Sequence, residues 1–323
     1  MNINLFLAKA QISLTNRCNE NCIHCLVCKS RIYELGTQNI KDIISELREL
    51  NCLEVIFTGG EPMLRRDFFE ILYFSKKQGL GIRIFSNGTF INENNIKQLK
   101  EINPLNIQVS LYGATPKMHD FTTRLKGSFD KTMRGIKLLQ DYKVRFSIAT
   151  MVMHHNFRQL PLIKDMAKKE RWKILFDFII RPKDSGSKLP LKYRISGSQI
   201  RKAYNLGLLP YVTKSKRLRC YNKKDLYINA SKKLIFISYK REVFPYCGFG
   251  MKTGDLRKDS LYNIWHKSRR LNWLRSLSLS DFECSKCKYL LKCYWEPGLA
   301  LAEYNDLFKK PEVLKSDIKF HKL

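Results

Sequence analysis

Leu53-Glu54-Val55-Ile56-Phe57-Thr58-Gly59-Gly60-Glu61-Pro62 is a compact apolar run that ends on a paired-glycine turn, the pattern of a buried strand entering a loop. A helical stretch follows from Asp67 to Gln78 and stops at Gly79. The same succession recurs on both sides. Upstream, Ala10–Leu14 alternates as a strand, and Ile40, Ile43, Ile44, Leu47 and Leu50 keep helical spacing. Downstream, strands are predicted at Gly81–Phe85, Asn106–Leu111, Val144–Thr150 and Lys173–Ile180, with helices over Phe129–Tyr142 and Leu160–Lys169. Strands alternating with helices, without short hairpin turns, imply a parallel sheet. Six such right-handed units close a barrel fully or in part.

The expected fold class is therefore α/β, a partial (β/α)6 TIM-like barrel over residues 1–195. In that architecture chemistry sits on the loops after the C-terminal strand ends. Three distinctive loops fall there: the cysteines after the first strand, Gly59–Pro62 after the second, and Ser86-Asn87-Gly88 after the third. Arg181–Pro190 gathers Pro, Gly and Ser and reads as a linker. Beyond it, Leu226–Ile228 and Leu234–Ser238 resemble a hairpin around Asn229–Lys233, and Leu261–Ser276 a helix. A small C-terminal α+β domain is expected over residues 209–323.

With 44% hydrophobic and 27% charged residues the chain is globular rather than disordered. No apolar run approaches the roughly 20 residues of a membrane span, and Met1–Ala10 lacks a basic flank. The expectation is a cytoplasmic protein with no membrane partner. A net charge of +30 suits an acidic partner or simply a solvated, lysine-rich surface. The basic residues are dispersed, as at Lys168–Lys169, Lys214–Arg219 and Lys240–Arg241. No aromatic platform for single strands accompanies them, so nucleic acid ranks last among partners.

Cys18, Cys22, Cys25 and Cys28 lie within eleven residues, a density that serves a metal or cluster better than a packed core. Cys18-x3-Cys22-x2-Cys25 can hold three irons of a [4Fe–4S] cluster and leave the fourth open. Zinc usually needs two Cys-x2-Cys pairs closing a tetrahedron. Cys22, Cys25 and Cys28 also fit a ferredoxin-like register, but ferredoxins lack the barrel rhythm and the glycine-rich turn found here. Cys28 stays unassigned in the open-cluster reading. Cys52 precedes an apolar strand and reads as a buried core thiol.

The cysteine loop, joined to Thr58-Gly59-Gly60-Glu61-Pro62 about 35 residues later, resembles the radical S-adenosylmethionine (SAM) superfamily. That resemblance implies a SAM-binding [4Fe–4S] cluster on Cys18, Cys22 and Cys25. It further implies that the turn Gly59, Gly60, Glu61 and Pro62 contacts the methionyl amino group of SAM. Ser86 and Asn87 resemble the strand-end motif near the ligand, and Ser110 a serine that approaches it. Arg124 resembles an arginine pairing with the SAM carboxylate, and His24 occupies an aromatic position near the adenine. For Ser110 and Arg124 an exposed hydroxyl and an exposed charge are the plain alternatives. The implied chemistry is reductive cleavage of SAM to a 5′-deoxyadenosyl radical that abstracts a hydrogen atom from substrate. An external electron donor of flavodoxin or ferredoxin type is implied as a partner.

Cys220, Cys247, Cys284, Cys287 and Cys293 follow the barrel. Cys284-x2-Cys287-x5-Cys293, with Phe244-Pro245-Tyr246-Cys247 upstream, resembles the SPASM and twitch extensions of the superfamily. Tyr294-Trp295-Glu296-Pro297 stands where a further cysteine is expected, so two full clusters are out of reach. One auxiliary [4Fe–4S] cluster is expected, with zinc the alternative. A leftover thiol is the sole candidate catalytic group, as a hydrogen donor. The expected substrate is a peptide undergoing maturation. The alternatives are a sugar or aminocyclitol in a dehydrogenase or epimerase, and last an RNA. His154-His155 is read as a loop feature.

Overall fold

The computed structural model describes residues 5–29, 32–208, 230–286 and 297–311. Six parallel strands form the wall of the barrel: β1 (Lys9–Ser13), β2 (Glu54–Thr58), β3 (Gly81–Ser86), β4 (Asn106–Ser110), β5 (Phe146–Met151) and β6 (Ile174–Asp177). They lie side by side in reverse chain order from β6 to β1. Each strand alternates, and the alternation separates two chemistries. In β1, Ala10 and Ile12 are fully buried under helices, while Gln11 and Ser13 face the inside. In β4, Ile107 and Val109 face the helices, and Gln108 and Ser110 the inside. Period-two patterning thus builds an apolar outer core and, in β1 and β4, a polar inner face from the same strands, while Phe85 and Met151 add apolar groups to the lumen.

The helices supply the other half of that core. α1 (Thr37–Glu49) buries Ile40, Ile43, Ile44 and Leu47 along one face, and α2 (Phe68–Lys77) buries Phe68, Ile71 and Leu72. α3 (Ile96–Ile102) and α4 (Pro116–Thr123) are short helices that periodicity did not reveal. α5 (Ser128–Asp141) and α6 (Leu160–Lys169) fall where helical spacing predicts them. No helix among the described residues is long and apolar enough to cross a membrane.

The C-terminal part differs from the expectation in two ways. β7 (Leu234–Ile237) pairs parallel with β1 and antiparallel with β8 (Glu242–Phe244), which pairs with β9 (Gly254–Asp255). The predicted partner of β7, Leu226–Ile228, lies outside the described residues, as does the expected boundary near residue 209. The predicted helix Leu261–Ser276 is broken into Leu261–Lys267 and Arg269–Ser276. Ser268 makes the break: its hydroxyl accepts from Leu271 N–H to start a new helix and donates to the Thr253 carbonyl. Val243, Leu261, Ile264 and Trp265 share the barrel's own core, so this part is fused to the barrel. A separate cluster around Phe249, Leu274, Phe282 and Leu299 lies beyond it.

One ionic contact spans the first three strands. Glu54 on β2 accepts from Lys9 Nζ at 2.9 Å and Arg83 Nε at 2.6 Å. Burial pushes its carboxyl up, but the Arg83 and Lys9 hydrogen bonds outweigh it and hold the group below the usual range. A depressed carboxylate stabilises the fold above its unfolded pKa, about 4.3, and that contribution is lost as pH falls through the folded value. Glu54→Gln is expected to lower the urea midpoint at pH 7, with the gap to the natural chain closing as pH drops below about 4. An equal gap at both pH values would refute the ionic origin.

Candidate active site

The loop between β1 and α1 carries the first cysteines, and its own backbone and side chains close it into shape. Asn16 stitches its two ends: Nδ2 donates to the Cys28 carbonyl at 2.9 Å, and Oδ1 accepts from Tyr33 N–H at 2.7 Å. Asn21 and Ile23 N–H groups donate to the carbonyls of Thr123 and Thr122 at the end of α4. Cys25 N–H closes a turn on the Cys22 carbonyl at 3.1 Å. Cys18, Cys22 and Cys25 all line one cavity of about 970 Å³ inside the barrel.

The glycine turn after β2 is pressed against this loop. Gly60 N–H donates to the Thr15 carbonyl at 2.7 Å, and Glu61 N–H to the Arg17 carbonyl at 2.8 Å. A Cβ on Gly59, whose φ is +151°, would lie 2.3 Å from the Thr15 oxygen, and one on Gly60 2.1 Å from the Arg17 oxygen. Only glycine permits that approach. The glycines, Ser86, Asn87, Ser110 and His24 all line the cavity.

Glu61 is wholly buried, and both its oxygens are taken inside the protein. Oε1 accepts from Met63 N–H and the Ser86 hydroxyl, at 3.1 and 2.9 Å, and Oε2 from Asn87 N–H at 2.8 Å. Burial pushes its pKa up to about 7, with those donors opposing. The carboxylate thus clamps the turn to the end of β3. Pro62 is buried and begins a short 3-10 turn. Asn87 extends the clamp through Asn19 Oδ1 at 2.8 Å. Arg124, by contrast, caps α4 in a left-handed conformation, is exposed, and stands outside the cavity lining.

His24 packs edge-on against Tyr112 at 4.7 Å between centroids. Burial, and secondarily the charge of His155, lowers its pKa to about 4, which keeps the ring neutral. Burial pushes the Tyr112 phenol well up. Burial raises the Cys18 thiol to about 11 and also pushes Cys22 and Cys25 up. Of the later cysteines, Cys247 lines the same cavity, while Cys284 is buried in the second apolar cluster. Cys220, Cys287 and Cys293 lie outside the described residues. Cys28 also lines the cavity, and Cys52 is buried in the core as expected.

Sequence reasoning missed several residues that shape the site. Asn16, Tyr112, Asp184 and Tyr239 are the main ones. Asp184 Oδ1 accepts from Cys28 N–H at 2.9 Å and Oδ2 from Tyr239 O–H at 2.6 Å, tying three loops together. A polar residue in a linker-like stretch carries no such signal by itself. Asn16, directly before the cysteine run at a strand end, was the one that spacing could have flagged.

The sequence model of the radical SAM superfamily matches residues 12–166. AdoMet-dependent heme synthase of Oleidesulfovibrio alaskensis is 27% identical over 87% of this chain and 80% of its own. Mycofactocin maturase MftC of Mycolicibacterium smegmatis is 34% identical over 48% of this chain and 40% of its own. The solved structure of native anSMEcpe with bound AdoMet aligns with a TM-score of 0.75 at 16% identity, covering 98% of this chain and 96% of that one.

The superfamily implies a [4Fe–4S] cluster and SAM, and the residues present fit both. Three thiols reach one cavity, while among the described residues no three Cys, His, Asp or Glu side chains converge on one ion. That geometry suits several irons taking one thiolate each better than a single zinc. Beside the thiols, Glu20 Oε1 and His24 Nδ1 are buried polar atoms with no hydrogen-bond partner in the protein, as expected where a ligand completes the site. Residues 12–166 therefore match the radical SAM superfamily, and the chain is similar to enzymes built on that domain.

Proposed function

We propose that Cys18, Cys22 and Cys25 hold the cluster, that SAM lies against Gly59, Gly60, Ser110 and His24, and that the substrate is a peptide. When bound, cluster and SAM together supply the electron and the carbon-centred radical that takes a hydrogen atom. The chain supplies position. Gly59 and Gly60 let the turn seat closely against the cysteine loop at the cavity wall, and the clamped Glu61 keeps that turn from moving. The neutral His24 ring, braced edge-on by Tyr112, offers an aromatic surface within the barrel. Cys247 and Cys284, with Cys220, Cys287 and Cys293, provide for one auxiliary [4Fe–4S] cluster. A small flavodoxin- or ferredoxin-type protein delivers electrons.

The observation that supports the peptide reading is the set of polar side chains on a lumen wall that also carries Phe85, Tyr112, Met151 and Phe236. Gln11, Ser13, Gln108, Ser110 and Asp177 line it. Amide and hydroxyl groups match the donors and acceptors of a peptide, whereas an apolar macrocycle would leave them unpaired at a cost of about 1–3 kcal/mol each. A tetrapyrrole is the second reading, favoured by aligned length: the heme synthase matches 87% of this chain and the maturase 48%. The test is anaerobic turnover with strong reductant, quantifying 5′-deoxyadenosine against candidate peptides and carboxylated tetrapyrroles. Peptide-dependent deoxyadenosine with a matching mass change in the peptide is expected. Stimulation by the tetrapyrrole alone would overturn the peptide reading, and no deoxyadenosine with either would overturn the catalytic one.

A further inference from the structure

The mouth of the cavity carries five cationic and five carboxylate side chains on its lining, so a bare charge count decides nothing. Their partners do. Glu303 is engaged by Arg194, and Glu242 by Lys252 at 3.1 Å, both cations from outside the lining. Asp184 is held by Tyr239 and the Cys28 N–H. Glu20 lies within the cysteine loop, where its Oε2 accepts from Cys22 Sγ at 3.2 Å, and Asp177 Oδ1 accepts from Ile179 N–H at 3.0 Å. The ammonium groups of the lysines meet carbonyls and ring faces instead. Lys29 donates to the Glu20 carbonyl and Lys188 to the Glu303 carbonyl at 2.8 Å. Lys240 lies over the rings of Tyr33 and Tyr239, 5.1 and 5.8 Å from their centroids. Lys29 acts on the nearby Glu20 carboxylate, whereas among the described residues no carboxylate forms an ion pair with Lys183, Lys188 or Lys240.

These lysines come from three separate loops that the fold draws together. Asp184 N–H donates to the Leu26 carbonyl at 2.8 Å, which seats the Lys183 loop on the tail of the cysteine loop that carries Lys29. The Tyr239–Asp184 bond and the stacked Tyr33–Tyr239 pair bring the Lys240 turn to the same rim. Carbonyls and aromatic faces satisfy an ammonium's donors and part of its field, but they leave its full charge in place. Like charges gathered at the mouth of a low-dielectric cavity repel one another until an anion arrives.

From this we propose that the rim formed by Lys29, Lys183, Lys188 and Lys240 is a substrate subsite for carboxylates. It would orient an acidic side chain, or another carboxylate-bearing arm, over the reacting centre. This rests on the reading of the cavity as the substrate site, and it names the substrate class: a molecule with carboxylates spaced around the group that reacts.

The experiment is equilibrium binding to the full, cluster-loaded chain under anaerobic conditions. The probes are a dye-labelled hexaglutamate peptide against its hexaglutamine counterpart, and coproporphyrin III against its tetramethyl ester. At least tenfold tighter binding of an acidic probe than of its neutral partner is expected. The larger preference identifies which carrier bears the carboxylates. Lys183→Gln combined with Lys240→Gln should remove most of that preference, while Lys258→Gln, in an exposed depression elsewhere, should keep it. Equal binding of neutral and acidic probes overturns the proposal. So does an undiminished preference in the double variant whose unfolding midpoint is unchanged, or an equal loss in Lys258→Gln, which would mean general surface charge. Binding is read without turnover, so charge-selective binding without deoxyadenosine faults the radical reading alone. Deoxyadenosine without charge selectivity faults this one alone.

Discussion

Cys22→Ala, reconstituted anaerobically with iron and sulfide, is expected to lose about four irons per chain and to form no 5′-deoxyadenosine above background. Cys22 is the middle thiol of the loop, facing the cavity beside Glu20, whose Oε2 it meets at 3.2 Å. Its alanine variant leaves two thiols, too few to fix a cubane in one orientation. Replacing even an outer partner of a metal site commonly costs 10–100-fold, so removing a direct ligand should exceed about 100-fold in deoxyadenosine yield. The fold itself should survive, because the loop is held by Asn16 and by the carbonyls of Thr122 and Thr123 rather than by the sulfur. Iron counting and the absorbance of the reduced protein read the loss independently of turnover. Cys247→Ala is the contrasting variant, expected to spare the iron of the barrel. Full iron content and undiminished deoxyadenosine in Cys22→Ala would remove the basis of the functional assignment.

Arg65→Met should destabilise the chain by about 1–3 kcal/mol, the cost of removing donors from buried hydrogen-bonding groups. Its side chain is about 4% exposed. The guanidinium grips Asp67 in a two-pronged contact at 2.9 and 2.6 Å. It also donates to the carbonyls of Leu14 and Leu35, at 3.1 and 2.7 Å, on either side of the cysteine loop. Burial pushes Asp67 up, but Arg65 and the Thr37 hydroxyl more than offset it and hold the carboxyl below its usual range. Methionine would fill the space, leave the half-buried Asp67 carboxylate with the Thr37 hydroxyl and the Leu14 carbonyl with Leu35 N–H, and take the guanidinium donor from the Leu35 carbonyl. Arg65→Lys should fall between, keeping the charge but not the planar fork. Anaerobic urea unfolding measures both. A loss under about 1 kcal/mol for Arg65→Met would mean that the cysteine loop is anchored elsewhere. Because Leu14 opens that loop, the same variant should also retain less iron at equal folded fraction.

The sequence was most legible where one residue type has one physical use. Paired glycines at residues 59 and 60 signalled close backbone approach, and the structure shows the carbonyls of Thr15 and Arg17 where side chains would have stood. Alternation in β1 and β4 announced strands, and helical spacing found α1, α2, α5 and α6 within a residue or two. The short helices α3 and α4 escaped because seven or eight residues hold too few turns for a period to emerge. Leu261–Ser276 read as one helix because its apolar spacing continues through Ser268, whose hydroxyl nevertheless restarts the backbone ladder. Glu61 was expected to face a ligand ammonium, and instead it is spent on Ser86, Asn87 and Met63. Motif spacing marks a carboxylate as important without saying which donors reach it.

Local chemistry by itself thus settled the barrel and the cysteine loop, since patterning, turn residues and thiol spacing act between near neighbours in the chain. Pairing β7 with β1, sharing one core between the barrel and Leu261–Trp265, and drawing Lys29, Lys183 and Lys240 to one rim were decided in three dimensions. Contacts between residues hundreds of positions apart depend on where the closed sheet delivers each loop, and no short stretch of sequence encodes that meeting.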